Sequence, residues 1–394
     1  MRKKLTIVLV LLLVISSVSY ASNWRYVFDS WNQHPEILEG LVPTHAIMGG
    51  GYDGLSFIEG NRTELQLLLG LGYSQRKIWQ DPTNGSVITD NPLIYDVFQS
   101  DSKIRVSQGF LKSPVPSKDL WTAYIGVENT MEIYKDSMVV GSTRQNGTAT
   151  HAVSSIADWF SSYGVSPSNN AYYPDFGTNG SAMLQTTLVA GLTLDMMDDK
   201  IVTQNGLVSD LSLNYGPSIL NSLLDGTASF YSITSNTEIA KTLYSLKAGK
   251  TNNAFSVVLA DRFNVNWTDG SAVPLSVQGP ISLGNKVRGY ASWTYNTQFT
   301  VVNNLDLRIC GPEPWSQGFF PKVTLFLDLG YGAGNYFNTT VSSSNFLAST
   351  GVQGTLVLFD SLTLGYQVAY LFTNDNYVYY GNPIVGSVTM ALHF

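Results

Sequence analysis

The chain has 394 residues, of which 13% are charged, with a formal net charge of -7 and a high content of aromatics and glycine: 22 Tyr, 18 Phe, 8 Trp and 35 Gly. A soluble domain usually carries about 25% charged residues, and an acidic balance argues against a nucleic-acid partner. The single Cys310 excludes an internal disulfide, and His34, His45, His151 and His393 are scattered without ligand spacing, so no metal, cofactor or enzyme chemistry is expected.

Met1-Arg2-Lys3-Lys4 places positive charge ahead of an apolar run from Leu5 to Ile15, and Ser19 and Ala21 follow at cleavage-site spacing. Residues 1–21 therefore read as a signal peptide, with an apolar run below the ~18 residues of a spanning helix. No Cys sits near the cleavage point to carry a lipid anchor. Residues 22–44 lack alternation, and residues 35–41 read as a small helix at the mouth of a barrel.

From residue 45 to 394 the recurring unit is about ten residues of alternating character between turns rich in Asn, Asp, Gly, Ser and Pro, the pattern of strands that cross a bilayer. Candidate strands lie at 46–59, 63–77, 103–112, 120–129, 182–196, 207–215, 237–247 and 254–265. The run Gly49-Gly50-Gly51 reads as glycine on a strand, because no helix follows to make a phosphate loop. Residues 150–163 allow a short amphipathic helix, and 267–296 form a long turn-rich segment.

Strands then recur to the end. Leu305, Leu307 and Ile309 alternate with Asn304, Asp306 and Arg308, and Val323, Leu325, Leu327 and Leu329 alternate with Thr324, Phe326, Asp328 and Gly330. If the apolar sets face lipid, both aspartates point into the lumen from neighbouring strands. Further strands cover 352–358 and 364–372. The last places Ile384, Gly386, Val388, Met390, Leu392 and Phe394 on one face, which resembles the C-terminal signal by which outer-membrane barrels are recognised for insertion. The sequence thus predicts an all-β fold: one transmembrane antiparallel β-barrel of about 16 strands over residues 45–394.

The sharpest local motif is Val287-Arg288-Gly289-Tyr290, preceded by Leu283-Gly284-Asn285. Asn304-Leu305-Asp306-Leu307-Arg308 follows, then Phe326-Leu327-Asp328-Leu329-Gly330, two more strands and a terminal Phe. In this order the motifs resemble the bacterial surface antigen family, the superfamily of BamA, TamA and the two-partner secretion transporters, over about residues 283–394. The resemblance implies that a long extracellular loop folds into the lumen and sets Arg288 against Asp306, where the family usually has Glu, and against Asp328. Chemistry agrees, because two carboxylates close together in a poorly hydrated lumen repel, whereas a guanidinium between them bonds both and stays charged. Gly289 is expected to let the backbone turn beside the wall, and Tyr290 to pack its ring with its hydroxyl wet.

Periplasmic polypeptide-transport-associated (POTRA) domains precede the barrel in that family, and the segment before residue 45 is too short for one of roughly 75 residues. The reading is therefore a barrel-only member that moves or inserts polypeptide, or lipid, at the outer membrane, with a passive pore or structural barrel as the alternative. The partners this implies are outer-membrane lipid, the assembly machinery that inserts the barrel, and a separate periplasmic protein or a polypeptide substrate.

Overall fold

A computed structural model gives the three-dimensional structure. It describes residues 24–34, 45–55, 57–59, 61–78, 81, 83–84, 93–115, 118–135, 140–143, 148–151, 162–164, 182–198, 204–222, 228–247, 254–290, 294–311, 318–336, 341–358, 362–373 and 383–393. The expected signal peptide and Phe394 lie outside the described residues, as does most of the expected helix at 150–163.

The first strands are β1 (Trp24–His34), β2 (His45–Leu55), β3 (Thr63–Ile78), β4 (Leu93–Lys112) and β5 (Asp119–Lys135). Two short strands follow, β6 (Val140–Thr143) and β7 (Thr148–His151), and then β8 (Ala182–Asp195), β9 (Gly206–Gly216), β10 (Ser229–Lys247) and β11 (Ala254–Ala272). The last five are β12 (Thr297–Cys310), β13 (Phe319–Tyr336), β14 (Ser342–Leu358), β15 (Leu362–Leu371) and β16 (Ile384–His393). Strands β2 to β5 pair antiparallel in sequence, β5 pairs with β8, β8 to β16 again pair in sequence, and β1 joins the two edges by pairing with β2 and with β16. Among the described residues, strands β6 and β7 pair only with each other.

Two expectations are corrected here. The segment 22–44 was expected to lack strand alternation, yet Trp24–His34 is a barrel strand whose register is set by both neighbours; the small helix expected at 35–41 lies outside the described residues. The barrel has fourteen described strands instead of about 16, because its strands are longer than the ten-residue unit: β4 has 20 residues and β10 and β11 have 19 each. At about 3.3 Å per residue such strands outrun the hydrocarbon core and stand out beyond it. The same lengthening moves Trp267–Ala272 from the expected loop into β11, and Thr150 and His151, expected in a helix, lie in the short strand β7.

Alternation sorts the side chains as lipid on one face and water on the other require. On β13, Val323, Leu325, Leu327, Leu329 and Tyr331 are exposed, whereas Thr324, Phe326 and Asp328 are buried. On β15, Leu364, Tyr366, Val368 and Tyr370 are exposed, whereas Gln367 and Ala369 are buried. Apolar outside and polar inside is the inverse of a soluble domain, and it satisfies the backbone within the sheet. Aromatic pairs mark the two ends of the apolar belt: Tyr231 meets Trp267 with ring centroids 5.3 Å apart, and Tyr244 meets Phe255 at 6.3 Å. Phe255 and Trp267 are twelve positions apart on β11, about 40 Å of strand, which at a tilt near 40° spans about 30 Å of bilayer.

This sorting gives a parity test on adjacent residues. Val352 faces out and Gln353 faces in. Val352→Arg is expected to cost about 2–4 kcal/mol in urea unfolding from liposomes, and Gln353→Arg far less; equal costs would contradict the assigned faces.

Candidate functional site

The site is built by the connection from β11 to β12. Pro274 fixes an extended entry, after which Leu275–Ile281 form a helix that ends where Ser282 returns to extended geometry. Its buried residues Leu275, Gln278 and Gly279 share one face at helical spacing, and Val277 and Ile281 pack against Phe230 and Val273. Ser276 Oγ donates to Gln185 Oε1 of β8 at 2.7 Å, so this helix reaches across to a distant strand. A second helical turn, Leu283–Lys286, leads to the tip Val287–Tyr290.

Apolar contacts fix the tip against the inner wall. Leu283, Val287, Tyr290 and Tyr295 from the connection form one buried cluster with Val302 of β12, Leu347 of β14, Leu371 of β15 and Val385 of β16. Gly330 of β13 makes this fit, since a Cβ there would lie 2.6 Å from Val287 Cγ2 and 2.8 Å from Leu283 Cδ1. Gly289 has φ +93°, and a Cβ on it would meet Ala369 Cβ and Leu371 Cδ2, each at 2.8 Å; it supplies both the turn and the close approach. Tyr290 corrects the expectation of a wet hydroxyl. The residue is buried, and its OH donates to the Ala348 carbonyl at 3.0 Å and also meets the Thr373 hydroxyl.

Arg288 is held from four directions. Its Nε and Nη2 donate to the two oxygens of Asp328 at 2.8 and 2.6 Å, its Nη2 also to Asp306 Oδ1 at 2.6 Å, and its backbone N–H to Asp328 Oδ2 at 2.9 Å. Its guanidinium lies over the Phe326 ring, 3.9 Å from the centroid. Register explains the convergence: Asp306 sits directly opposite Phe326 and Asn304 opposite Asp328, so the carboxylates are diagonal neighbours on one face. Burial disfavours the Arg288 charge, but the hydrogen bonds and charges of Asp328 and Asp306 outweigh it and hold the guanidinium pKa above its ordinary value. The neighbouring Lys286 has no such compensation, and burial pushes its ammonium pKa down.

The sequence-predicted residues Val287, Arg288, Gly289, Tyr290, Asp306, Phe326, Asp328 and Gly330 thus meet in one cluster. Met390, in the expected insertion signal, is half-buried on β16 far along the chain from this cluster, and the side chain of Leu392 and all of Phe394 lie outside the described residues.

Sequence reasoning missed the layer behind the clasp. Asp306 also accepts from Arg262 Nη2 at 3.1 Å and Arg308 Nη2 at 3.3 Å, and Arg308 reaches Glu238 at 2.9 Å and Gln204 at 2.7 Å. Three guanidiniums therefore share one carboxylate. The inward parity of β12 already pointed Arg308 this way, and the same alternation on β11 would have found Arg262 beside the exposed Phe263.

Comparison with protein-family profiles finds no match, and no curated protein sequence matches. Among solved structures, the chain is similar to BamA from Haemophilus ducreyi lacking POTRA domains 1-3, at 12% identity and a TM-score of 0.47, covering 95% of this chain and 71% of that one. It is also similar to CdiB from Escherichia coli, at 10% identity and a TM-score of 0.46, and to CdiB from Acinetobacter baumannii, at 8% and 0.42. Each covers 95% of this chain, which spans 64% and 60% of those two chains, less than two thirds of their length.

Removing the guanidinium strands Asp328, which is fully buried. Arg288→Ala is expected to destabilise the barrel by about 3–5 kcal/mol in denaturant titration. Adding Asp328→Asn to that variant should recover part of the loss by removing the stranded charge; a double variant no more stable than the single would contradict the clasp as a charge-compensated pair.

Proposed function

We propose that this protein is a non-catalytic barrel of the bacterial outer membrane that translocates or inserts polypeptide, or lipid, with the loop tip as the element that holds its working conformation. The observation that carries this reading is the Arg288 clasp: a loop is drawn across the interior and fixed by a bidentate, doubly shared ion pair. A loop fixed in this way narrows the path that a wide solute channel would need. The motif order from Arg288 through Asp306 and Asp328 to the last strands supports the same reading.

In this proposal the barrel's surroundings are outer-membrane lipid, and its own insertion depends on assembly machinery that reads the last strand. Substrate reaches it as a polypeptide or through a separate periplasmic partner. Unpaired strand edges are costly in lipid, so any sideways opening of the wall is transient or filled by a substrate strand.

The passive-pore reading is weakened by the Ser276–Gln185 contact, which carries the loop across to β8. Two measurements separate the readings. Depletion followed by profiling of the outer membrane and the medium should show missing clients, and the native barrel in planar bilayers should pass little current until residues 275–290 are replaced by a short Gly/Ser linker. A wide, steady, ion-selective current from the native chain, with no change in membrane or medium on depletion, would establish the pore instead.

A further inference from the structure

The outer wall carries a feature that the clasp does not use. Along β11 the residues facing lipid are Leu259, Asp261, Phe263, Val265 and Trp267, alternating with the inward Ala260, Arg262, Asn264 and Asn266. A carboxylate therefore stands in the apolar belt. Asp261 is six positions from Phe255 and six from Trp267, the aromatic residues that mark the ends of the belt on this strand, which places it at mid-depth. Directly opposite it are Ile239 of β10 and Leu305 of β12, both apolar.

Among the described residues Asp261 has one side-chain bond: Asn303 Nδ2 of β12, itself an outward residue, donates to Oδ1 at 2.5 Å. Among the described residues no cation lies within ion-pair distance of it. The nearest cation by register is Lys241 of β10, outward and exposed, which sits opposite Leu259 one side-chain row away. It too forms no ion pair among the described residues. One face of the barrel thus presents a carboxylate, an amide and an ammonium to hydrocarbon without joining the two charges, and charges left so in lipid are unfavourable.

Two opposite charges on a single face, each without an ion pair among the described residues, suit a two-fold interface, because residue i of one copy then meets residue j of the other and the reverse holds at the same time. We propose that the β10–β12 face of the wall, centred on Asp261, Asn303 and Lys241, is the interface between two copies of this chain in the membrane. Lys241 of each copy pairs with Asp261 of the other across a two-fold axis along the membrane normal. One row along a strand is about 7 Å, an offset that the flexible four-carbon arm of lysine covers. Ile239, Leu243, Leu259 and Phe263, all exposed on the same face, supply apolar contact around the charged pair and exclude lipid from it.

The test is a charge swap read as stoichiometry. The full chain is reconstituted in nanodiscs large enough for two barrels, and the copies per disc and the dissociation constant are measured by single-molecule mass measurement and subunit exchange. Heat-modifiable gel migration confirms that each variant is folded. The native chain is expected to form dimers, and Lys241→Asp or Asp261→Lys alone to raise the dissociation constant at least about tenfold. The combined Lys241→Asp and Asp261→Lys exchange is expected to restore it. Asp261→Leu, which removes the mid-depth charge, is expected to be a folded monomer, its folding checked by the same gel migration. A native chain that stays monomeric, a folded swap variant that does not regain dimers, or a native face occupied by a different protein would overturn the proposal.

Discussion

Two carboxylates on neighbouring strands of a barrel interior present a problem that the rest of this structure is arranged to meet. Asp306 and Asp328 are diagonal on one face of β12 and β13 and almost wholly buried. Left alone, such a pair would repel and take up protons. Arg288 resolves this with a planar fork that reaches both oxygens of Asp328 and one of Asp306 while its face rests on Phe326. Because that guanidinium comes from a loop and not from the wall, the electrostatic need becomes a mechanical constraint: the connection between β11 and β12 has to turn inward, and its tip has to stay there.

The remaining features follow from accommodating that tip. Gly330 leaves room for Val287 and Leu283, Gly289 turns against Ala369 and Leu371, and Gly351 leaves room for the Phe326 ring, whose Cζ would lie 2.6 Å from a Cβ at that position. Tyr290 ties the tip to β14 through the Ala348 carbonyl, and Ser276 ties the base of the loop to β8. Binding on one side to β12–β16 and on the other to β8 makes the loop a strut across the interior. Behind it, Arg262, Arg308 and Glu238 together carry one net positive charge, which balances what Arg288 alone leaves uncompensated on Asp306 and Asp328.

Much of this was legible in the sequence because alternation has a period of two and one face meets lipid. The parity of Leu305 and Leu307, or of Leu325 and Leu327, suffices to turn Asp306 and Asp328 inward, and the motif order resembling a known superfamily supplied the partner, Arg288. Where alternation is weak the reading failed. In β1 the aromatic alternation of Trp24, Tyr26 and Phe28 gives way to Ser30 and Asn32, so the strand is specified by its pairing with β2 and β16 rather than by its own pattern. The strand count was too high because strand ends beyond the lipid need no alternation, as in the polar Ser342 to Asn345 of β14 and the stretch from Asp269 to Ala272 of β11. The Tyr290 hydroxyl was misjudged because its partners, Ala348 and Thr373, lie far along the chain.

The central claim is that the loop tip is lodged in the barrel and held by Asp328. The most direct measurement is amide hydrogen exchange of the folded barrel in lipid, read at the Arg288 N–H, which donates to the Asp328 carboxylate. The account predicts protection at Arg288 comparable to that of β12 and β13, and its loss in Asp328→Ala while the strands remain protected. Exchange at Arg288 as fast as in an open loop in the native protein would contradict it.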